Sequence, residues 1–250
     1  MIDIHSHLIF GVDDGASSID ESLRMVEEAE KLGIKVIVAT PHFQEDLFEF
    51  GKVMDAYYKL IARMTEFDVT LKLGSEAFIN PSLPRLTEEN KSLRLGESRY
   101  LLMEFPFDAI PIYSLDTVYK LQLRNIKPII AHPERNRNFV KDFDRFMVFV
   151  DRGCLVQIDA ASIIGVYGRE VKEFSKKLIK SNVAHFISSD AHCAKDYSNW
   201  YRKAYDKVKK WAGREYTDEL FCSNAKTLLE DTEEIRISAI KEGKYSLCKH

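Results

Sequence analysis

Short apolar stretches typical of β-strands recur along the chain, and most of them are followed by a longer segment with apolar residues at helical spacing. The clearest helix is predicted to start after Ser18, an N-cap residue followed by two acidic side chains, and to end at Gly33. A second helical segment spans about residues 54–67. The strands are predicted at residues 1–5, 35–40, 69–73, 100–103, 128–131, 154–158 and 184–188.

This alternation predicts a parallel β-sheet whose strands are connected by helices. Seven strands in one α/β domain favour a closed or nearly closed barrel over an open sheet. We therefore expect a single domain over residues 1–250, with a polar tail at residues 241–250. In such barrels the chemistry lies at the C-terminal ends of the strands, and each predicted strand delivers a His, Asp or Glu at or just beyond that end.

The composition limits the classes of partner. A formal net charge of −3 gives no electrostatic reason to expect nucleic acid. No apolar run approaches the ~20 residues that cross a bilayer, and no basic segment precedes an apolar one at the N-terminus, so neither membrane insertion nor secretion is expected. The four cysteines lack C-x-x-C spacing, which favours reduced thiols in a cytoplasmic protein.

The cysteines also fail the pattern of a thiolate phosphatase. Such an enzyme needs an arginine six positions after its cysteine, in a loop that cradles phosphate. The residues at that offset are Ala160, Asn199 and Leu228, and Cys248 is too close to the end of the sequence. Phosphatase chemistry based on a thiolate is therefore excluded.

Histidines and carboxylates at strand ends predict a metal site. His5 and His7 stand two positions apart on the first strand, so their side chains point to the same face and can hold one ion between them. Asp190 and His192 have the same spacing. Imidazoles and carboxylates without a thiolate suit manganese, iron or zinc. Because the candidates exceed what one ion can use, a polynuclear site is expected. The candidate ligands are His5, His7, Asp14, His42, Glu76, Glu104, His132, Asp190 and His192.

Other residues of the same types receive structural interpretations. His185 lies inside its predicted strand and faces away from these ligands, and His250 lies in the tail, so neither is expected to bind a metal. Asp159 is interpreted as a cap of the helix that follows it. Asp13 is interpreted as a cap of the turn next to Asp14.

The ligand pattern resembles that of the PHP (polymerase and histidinol phosphatase) superfamily. Within it, the chain resembles the bacterial manganese-dependent protein-tyrosine phosphatases of capsule and exopolysaccharide operons, from Met1 to about residue 210. The motifs that carry the resemblance are residues 1–7, Val-Asp-Asp-Gly at 12–15, Ala-Thr-Pro-His at 39–42, Gly-Ser-Glu at 74–76, Glu-Phe-Pro at 104–106 and His-Pro-Glu-Arg at 132–135.

The resemblance implies a distorted (β/α)7 TIM-like barrel of the PHP type with three divalent metal ions, manganese in first place and iron or zinc as alternatives. It implies hydrolysis of phosphotyrosine on a partner protein, a bacterial tyrosine kinase that regulates capsule or exopolysaccharide synthesis. The implied ligands are His5, His7, Glu76 and Asp190 for the first metal, Glu104, His132 and the bridging Glu76 for the second, and Asp14, His42 and His192 for the third.

The resemblance also assigns Arg135 to phosphate binding and catalysis, whereas the alternative is a surface salt bridge with Glu134. Related enzymes usually carry a second arginine a few residues after the Asp-x-His motif, and this chain offers Lys195 in that region instead. A lysine supplies charge but no two-donor fork, so Lys195 is expected to contribute only in part to substrate binding.

The expected mechanism starts from a water that bridges the ions, loses its proton near neutral pH and attacks phosphorus in line. A phenolate, with a pKa of about 10, leaves without a strong general acid, which favours phosphotyrosine over histidinol phosphate. Phe10, Phe43, Phe105 and Phe107 are candidates for an aryl-accepting rim, with ordinary core packing as the alternative. Two other functions stay open: a small-molecule phosphatase of the histidinol-phosphate kind and a catalytically silent metal-binding module.

Overall fold

Parallel strands form the centre of the fold in a computed structural model that describes residues 1–231 and Ile235. The predicted tail at 241–250, with Cys248 and His250, lies outside the described residues. The strands are β1 (Ile2–Ser6), β2 (Val36–Ala39), β3 (His42–Phe43), β4 (Thr70–Leu73), β5 (Glu76–Phe78), β6 (Tyr100–Glu104), β7 (Lys127–Ile130), β8 (Leu155–Asp159) and β9 (Phe186–Ser188).

Helices connect these strands and cover the sheet. The first confirms the predicted cap, because the Ser18 hydroxyl accepts a hydrogen bond from the Glu21 backbone N–H at 3.3 Å. The helices are α1 (Ile19–Lys31), α2 (Phe50–Arg63), α3 (Leu83–Glu89), α4 (Ser114–Leu123), α5 (Arg137–Lys141), α6 (Phe143–Asp151), α7 (Ala160–Ile164), α8 (Arg169–Lys180), α9 (Ala194–Asp196), α10 (Arg202–Ala212), α11 (Arg214–Asp218) and α12 (Asn224–Glu230). Within residues 1–231, none of the helices combines the length and the apolar character that crossing a bilayer would require.

The sheet is broken into two parts, which the sequence pattern did not predict. One part has the order β1-β2-β4 and the other β3-β5-β6-β7-β8-β9. His42 and Glu76, expected beyond the ends of their strands, each begin a short additional strand, and they face each other in the register of β3 and β5. Pro41 stands at the first break, where its missing N–H interrupts the ladder.

The curled sheet brings β1 next to the segment that follows β9. The His7 backbone N–H donates to the Ala191 carbonyl at 2.9 Å, and the Asp190 N–H donates to the His5 carbonyl at 3.0 Å. A buried carboxylate, Asp3, reinforces this junction. The described chain is therefore a single α/β domain with a curled parallel sheet, in which the first and last strands lie side by side.

The Asp3 carboxylate joins three donors from the far end of the chain. It accepts hydrogen bonds from the Ser189 hydroxyl at 2.5 Å, the Ser189 backbone N–H at 3.0 Å and the Tyr197 hydroxyl at 2.7 Å. Because a buried carboxylate without partners is costly, these bonds specify how β1 meets the segment after β9. This contact positions the residue pairs on which the site is built.

Candidate metal centre

The nine predicted ligands meet at one end of the sheet. Three groups of possible donor atoms, each within 4.8 Å of one another, occur among the described residues. His132 adjoins the second group, because its Nε2 lies 2.6 Å from Glu76 Oε1 and 4.0 Å from Glu104 Oε1. One group matches the set expected for the first metal. The group around Glu104 includes His42 in addition to the expected carboxylates, and the group around Asp14 includes His7 in addition to the expected ligands. The groups are His5, His7, Glu76 and Asp190; His42, Glu76 and Glu104; and His7, Asp14, His42 and His192.

Gln157 fixes the orientation of the His5 ring. The backbone N–H of His132 donates to Gln157 Oε1 at 3.2 Å, so the amide presents its oxygen on this side. The Gln157 amide nitrogen donates to Asp159 Oδ1 at 3.0 Å, which agrees with that assignment. His5 Nδ1, 3.1 Å from the same Oε1, must therefore carry its hydrogen. Nε2 of the neutral His5 ring then presents its lone pair to the cluster.

Asp13 orients His7 in the same way. Its Oδ2 lies 2.8 Å from His7 Nδ1 and accepts the His42 backbone N–H at 3.2 Å. Burial opposes ionisation of Asp13, but the hydrogen bond and charge of His7, together with the N–H groups of Gly15 and His42, outweigh it and lower the carboxyl pKa. The other oxygen, Oδ1, accepts from the Gly15 N–H at 3.0 Å, which confirms the predicted turn cap. The neutral His7 ring therefore also turns the Nε2 lone pair inward.

These two lone pairs test whether the residues fit a cation. Nε2 of His5 and Nε2 of His7 lie 3.3 Å apart, and two lone pairs at this distance repel unless a positive charge faces both. Glu76 Oε2 lies 3.2 and 3.3 Å from these nitrogens, and Asp190 Oδ1 lies 3.3 Å from each. Two imidazoles and two carboxylates that converge in this way fit a divalent ion of the manganese, iron or zinc type.

The group around Asp14 is the open side of the cluster. Its carboxylate is 68% exposed, and His42 and His192 are 38% and 31% exposed. His192 Nδ1 donates to the Asp190 carbonyl at 3.0 Å, so its Nε2 faces Asp14 Oδ1 at 3.3 Å. A substrate can approach the cluster from this side.

Without an ion, the cluster attracts protons. Burial alone would lower the pKa of His5, but Glu76 and Asp190 raise it to about 9. Burial likewise opposes the charged form of His132, while Asp159 and Glu76 raise its pKa to about 10. Burial would raise the pKa of Asp190, but His5 and His7 hold it far below its ordinary range. The carboxylates thus generate a strong demand for positive charge, which protons or metal ions can meet.

Arg135 lies beside the cluster and is held on several sides. Its Nη1 donates to Asp190 Oδ2 at 2.8 Å and to Asp159 Oδ2 at 3.3 Å. The guanidinium carbon lies 4.6 Å from the ring centre of Phe107 and 4.5 Å from that of Tyr167, so the group is stacked between two aromatic rings. This places a permanent positive charge in a fixed orientation at the edge of the proposed metal site.

Two sequence interpretations of acidic neighbours are wrong. Asp159 stands before α7, but its side chain makes no capping hydrogen bond, because Gln157 and Arg135 engage it instead. Glu134 is no surface partner of Arg135, since it is buried and accepts the Asp159 backbone N–H at 2.9 Å. Burial and the nearby Asp159 raise the pKa of Glu134 to about 8.

Lys195 and His185 lie apart from the nine ligands. Lys195 is exposed in α9 and lines a groove with Glu21 and Arg24 of α1, where its charge acts on the Glu21 carboxylate. His185 precedes β9 rather than lying inside it, and its Nδ1 accepts the Val156 N–H at 3.1 Å. Burial lowers the pKa of His185 to about 4, which agrees with the structural interpretation of this residue.

Of the four phenylalanines predicted to form an aromatic rim, only Phe107 is exposed beside the cluster. Phe43 and Phe105 are buried in the core, and Phe10 packs against it, so these three form no exposed rim, although Phe43 also borders a cavity. Phe107 is 45% exposed and stacks on Arg135. Sequence reasoning missed Tyr167, which lies in the loop after α7 and carried no motif signal.

Two cluster residues have backbones that side chains rarely adopt. His132 has φ +28° and Asp190 has φ +50°. Such conformations are uncommon outside glycine and cluster at functional sites, where surrounding contacts hold them. Here the N–H of each is engaged, so the Gln157 oxygen that orients the His5 ring also holds His132, and the backbone carbonyl of His5 holds Asp190.

Known proteins match this chain over almost all of its described length. The family described as "Capsular polysaccharide synthesis, CpsB/CapC" matches residues 1–230. The tyrosine-protein phosphatase YwqE of Bacillus subtilis is 34% identical over 235 residues, which cover 92% of this chain and 92% of YwqE. CapC of Staphylococcus aureus is 35% identical over 236 residues, covering 92% of this chain and 91% of CapC.

A solved structure agrees with the fold. Among the crystal structures of YwqE from Bacillus subtilis and CpsB from Streptococcus pneumoniae, described as unique metal-dependent tyrosine phosphatases, one chain superposes with a TM-score of 0.88 at 34% identity. The match covers 94% of this chain and 97% of that chain. The curled sheet and its surrounding helices are therefore shared with these proteins.

Proposed function

The chain belongs to the CpsB/CapC family of capsular polysaccharide synthesis proteins, and from this membership together with the cluster of His, Asp and Glu we propose that it is a metal-dependent tyrosine-protein phosphatase. The observation that carries the proposal is the pair of inward Nε2 atoms of His5 and His7, 3.3 Å apart between two carboxylates. Such an arrangement demands positive charge, which a divalent ion can supply, and the relatives of known activity depend on metals.

We propose that the nine ligands hold three divalent ions, with manganese as the native metal. Three overlapping donor groups support this number. Four carboxylates, from Asp14, Glu76, Glu104 and Asp190, leave a net charge of about +2 on three divalent ions, which suits an anionic phosphate ester. When bound, divalent ions supply positive charge for the phosphate oxygens and make a nearby water more acidic.

The residues of the chain supply orientation around that chemistry. Gln157 and Asp13 keep the lone pairs of His5 and His7 directed inward. Arg135 faces the cluster from its stacked position and would donate to the phosphoryl oxygens, stabilising the charge that develops on them. Its partner Asp190 keeps the guanidinium against the cluster until a phosphate competes for it.

Further proposals concern the surroundings of this activity. We propose that the substrate is the phosphotyrosine of a partner protein, a bacterial tyrosine kinase of capsule or exopolysaccharide synthesis, and that the enzyme acts in the cytoplasm. We also propose one PHP-type domain over residues 1–250 with the topology of a distorted (β/α)7 barrel. Two residues separate β2 from β3, and two residues separate β4 from β5. If each of these pairs is counted as one interrupted strand, the nine strands become seven, which supports this topology.

The decisive experiment compares substrates with and without metal. The purified chain is stripped with a chelator, reloaded with manganese, and assayed with a phosphotyrosine peptide and with histidinol phosphate. We expect the peptide to be hydrolysed faster, chelation to abolish turnover, manganese to restore it, and thiol alkylation to leave most of it. Full activity after thorough chelation would exclude the metal mechanism, and a preference for histidinol phosphate would favour the small-molecule alternative. No turnover of either ester would indicate a silent binding module.

A further inference from the structure

A cavity of about 320 Å³ opens directly beside the metal cluster. His42 and Glu104, two of the proposed ligands, form part of its wall. The phenyl rings of Phe43, Phe48 and Phe78 form another part. A molecule with its phosphate against the cluster can therefore extend its substituent into this cavity.

We propose that this cavity binds the phenyl ring of the substrate and thereby selects aryl phosphates over alkyl phosphates. This assignment rests on the phosphatase activity proposed above and names the part of the site that recognises the leaving group. The cavity lies at the small end of the range for ligand pockets, so it suits one side chain and not a large cofactor.

The aromatic wall has the geometry that accepts another ring. Phe43 and Phe48 pack edge to face, with ring centres 4.9 Å apart and an angle of 65°. Behind this wall, Phe48 also packs edge to face against Phe50, which does not line the cavity, at 4.6 Å and 76°. Edge-to-face contacts between aromatic rings add stabilisation beyond the burial of apolar area, so a phenyl ring gains more here than an alkyl chain.

The other aromatic residues near the cluster are already occupied. Phe107 and Tyr167 flank Arg135, whose guanidinium carbon lies 4.6 and 4.5 Å from their ring centres. The space between these rings holds the arginine, so a substrate ring cannot enter it while Arg135 remains to bind the phosphate. Arg135 on one side of the cluster therefore binds the phosphoryl group, and the cavity on the other side binds the phenyl ring of the substrate.

The test removes ring contacts and compares esters that differ only in the leaving group. Phe48→Ala and Phe78→Ala are assayed with phenyl phosphate and methyl phosphate, and inorganic phosphate is measured as an inhibitor. The matched control is Tyr58→Ala, because Tyr58 is an aromatic residue of α2 that is 61% exposed and does not line the cavity. Metal content is measured for every variant.

We expect both cavity variants to lose about tenfold of the preference for phenyl over methyl phosphate, through a higher KM for the phenyl ester. Inhibition by inorganic phosphate and the metal content should stay at the parent value, as should all properties of Tyr58→Ala. Equal losses for the two esters, with metal retained, would overturn the assignment of the ring to this cavity.

A second measurement works without catalysis. Binding of phenylphosphonate and methylphosphonate to the manganese-loaded chain is measured by calorimetry, with the same variants. A parent that binds phenylphosphonate more tightly, and cavity variants that lose this advantage, would support the cavity even if no ester were hydrolysed. An advantage that survives in both variants would overturn the proposal, whereas a parent that hydrolyses neither ester contradicts only the phosphatase activity.

Discussion

At the scale of single residues, the second nitrogen of each imidazole decides what the first can do. His5 and His7 can present lone pairs only because Gln157 and Asp13 accept from their Nδ1 atoms. Metal ligands have few possible residue types, so the nine candidates could be predicted from the sequence. The role of Gln157 could not, because an amide in an apolar strand signals only that some buried partner exists.

Gln157→Leu should weaken metal binding while leaving the nine ligands in place. The leucine cannot accept from His5 Nδ1 or from the His132 N–H, so the ring loses its orientation and a buried donor loses its partner. Loss of such an orienting contact typically lowers metal affinity about 10- to 100-fold. Calorimetric titration with manganese measures it, with Gln122→Leu on α4 as the control for the same change near the surface. If Gln157→Leu bound manganese with the affinity of the parent, the contact between Gln157 and His5 would not be required for metal binding.

Arg135→Lys should lower kcat by roughly a hundredfold, or ~3 kcal/mol in barrier, although the charge is retained. A lysine cannot stack between Phe107 and Tyr167 or offer a planar set of donors. Steady-state kinetics with metal analysis check this, and Arg137→Lys, a change of an exposed arginine two residues further along the chain, is the matched control.

Lys195→Ala should have a smaller effect than Arg135→Lys, mainly on KM. A larger effect of Lys195→Ala would place the main phosphate contact in the loop after His192.

At the scale of elements, the turn after β1 and the breaks in the sheet create the shape of the site. The periodicity of apolar residues predicted the long strands and the first helix well, because burial on one face determines them. It did not predict β3 and β5, which are only two and three residues long and too short to show a period. Their pairing is specified by the rest of the sheet, which no local pattern contains.

Gly15→Ala should destabilise the proposed metal site by distorting the turn after β1. A Cβ at Gly15 would lie 2.1 Å from the His7 carbonyl oxygen, so the backbone of a proposed ligand must move. We expect a loss of roughly 1–3 kcal/mol in the free energy of unfolding, together with lower metal content. Gly51→Ala in α2 is the control, because its added Cβ would meet nothing within 4 Å apart from its chain neighbours and the nearby backbone of its own helix, and a helical alanine should be neutral or stabilising. Unfolding curves and metal analysis decide between them, and equal behaviour of the two variants would contradict the role of the turn.

At the scale of the whole molecule, the cluster is a concentration of charge that only the assembled fold creates. Its residues come from β1 and from segments that end near residue 192, and only the complete domain brings together the carboxylates that raise the pKa values of His5 and His132 against the effect of burial. The sequence could predict which residues take part, but not the proton affinity that results from their packing.

The metal-free protein should lose stability as the pH rises from about 6.5 towards 10. His5 and His132 have pKa values of about 9 and about 10 in the fold against 6.5 in the unfolded chain, so the folded state binds more protons in this window. Their contribution is fully present below pH 6.5 and disappears as the pH passes their folded values. Glu134, with a pKa of about 8 against an ordinary 4.5, acts in the same direction at lower pH.

Denaturant unfolding of the metal-free chain at several pH values across this window measures the effect. The manganese-loaded chain is the control, because ions that replace the protons should remove most of the decline. A metal-free stability that increased between neutral and alkaline pH would contradict the predicted protonation of the cluster.

The junction between β1 and the segment after β9 has a consequence for synthesis on the ribosome. Asp3 and its partner Ser189 are separated by 186 positions, and Asp190 and His192 follow directly. At typical elongation rates of 5–20 residues per second, His5 and His7 are synthesised about 10 to 40 s before Asp190. During that interval the nascent chain displays a pair of histidines without the carboxylate that completes their site. The proposed metal site can therefore be complete only after His192 has been synthesised, so translation speed sets the earliest moment at which a newly made molecule could become active.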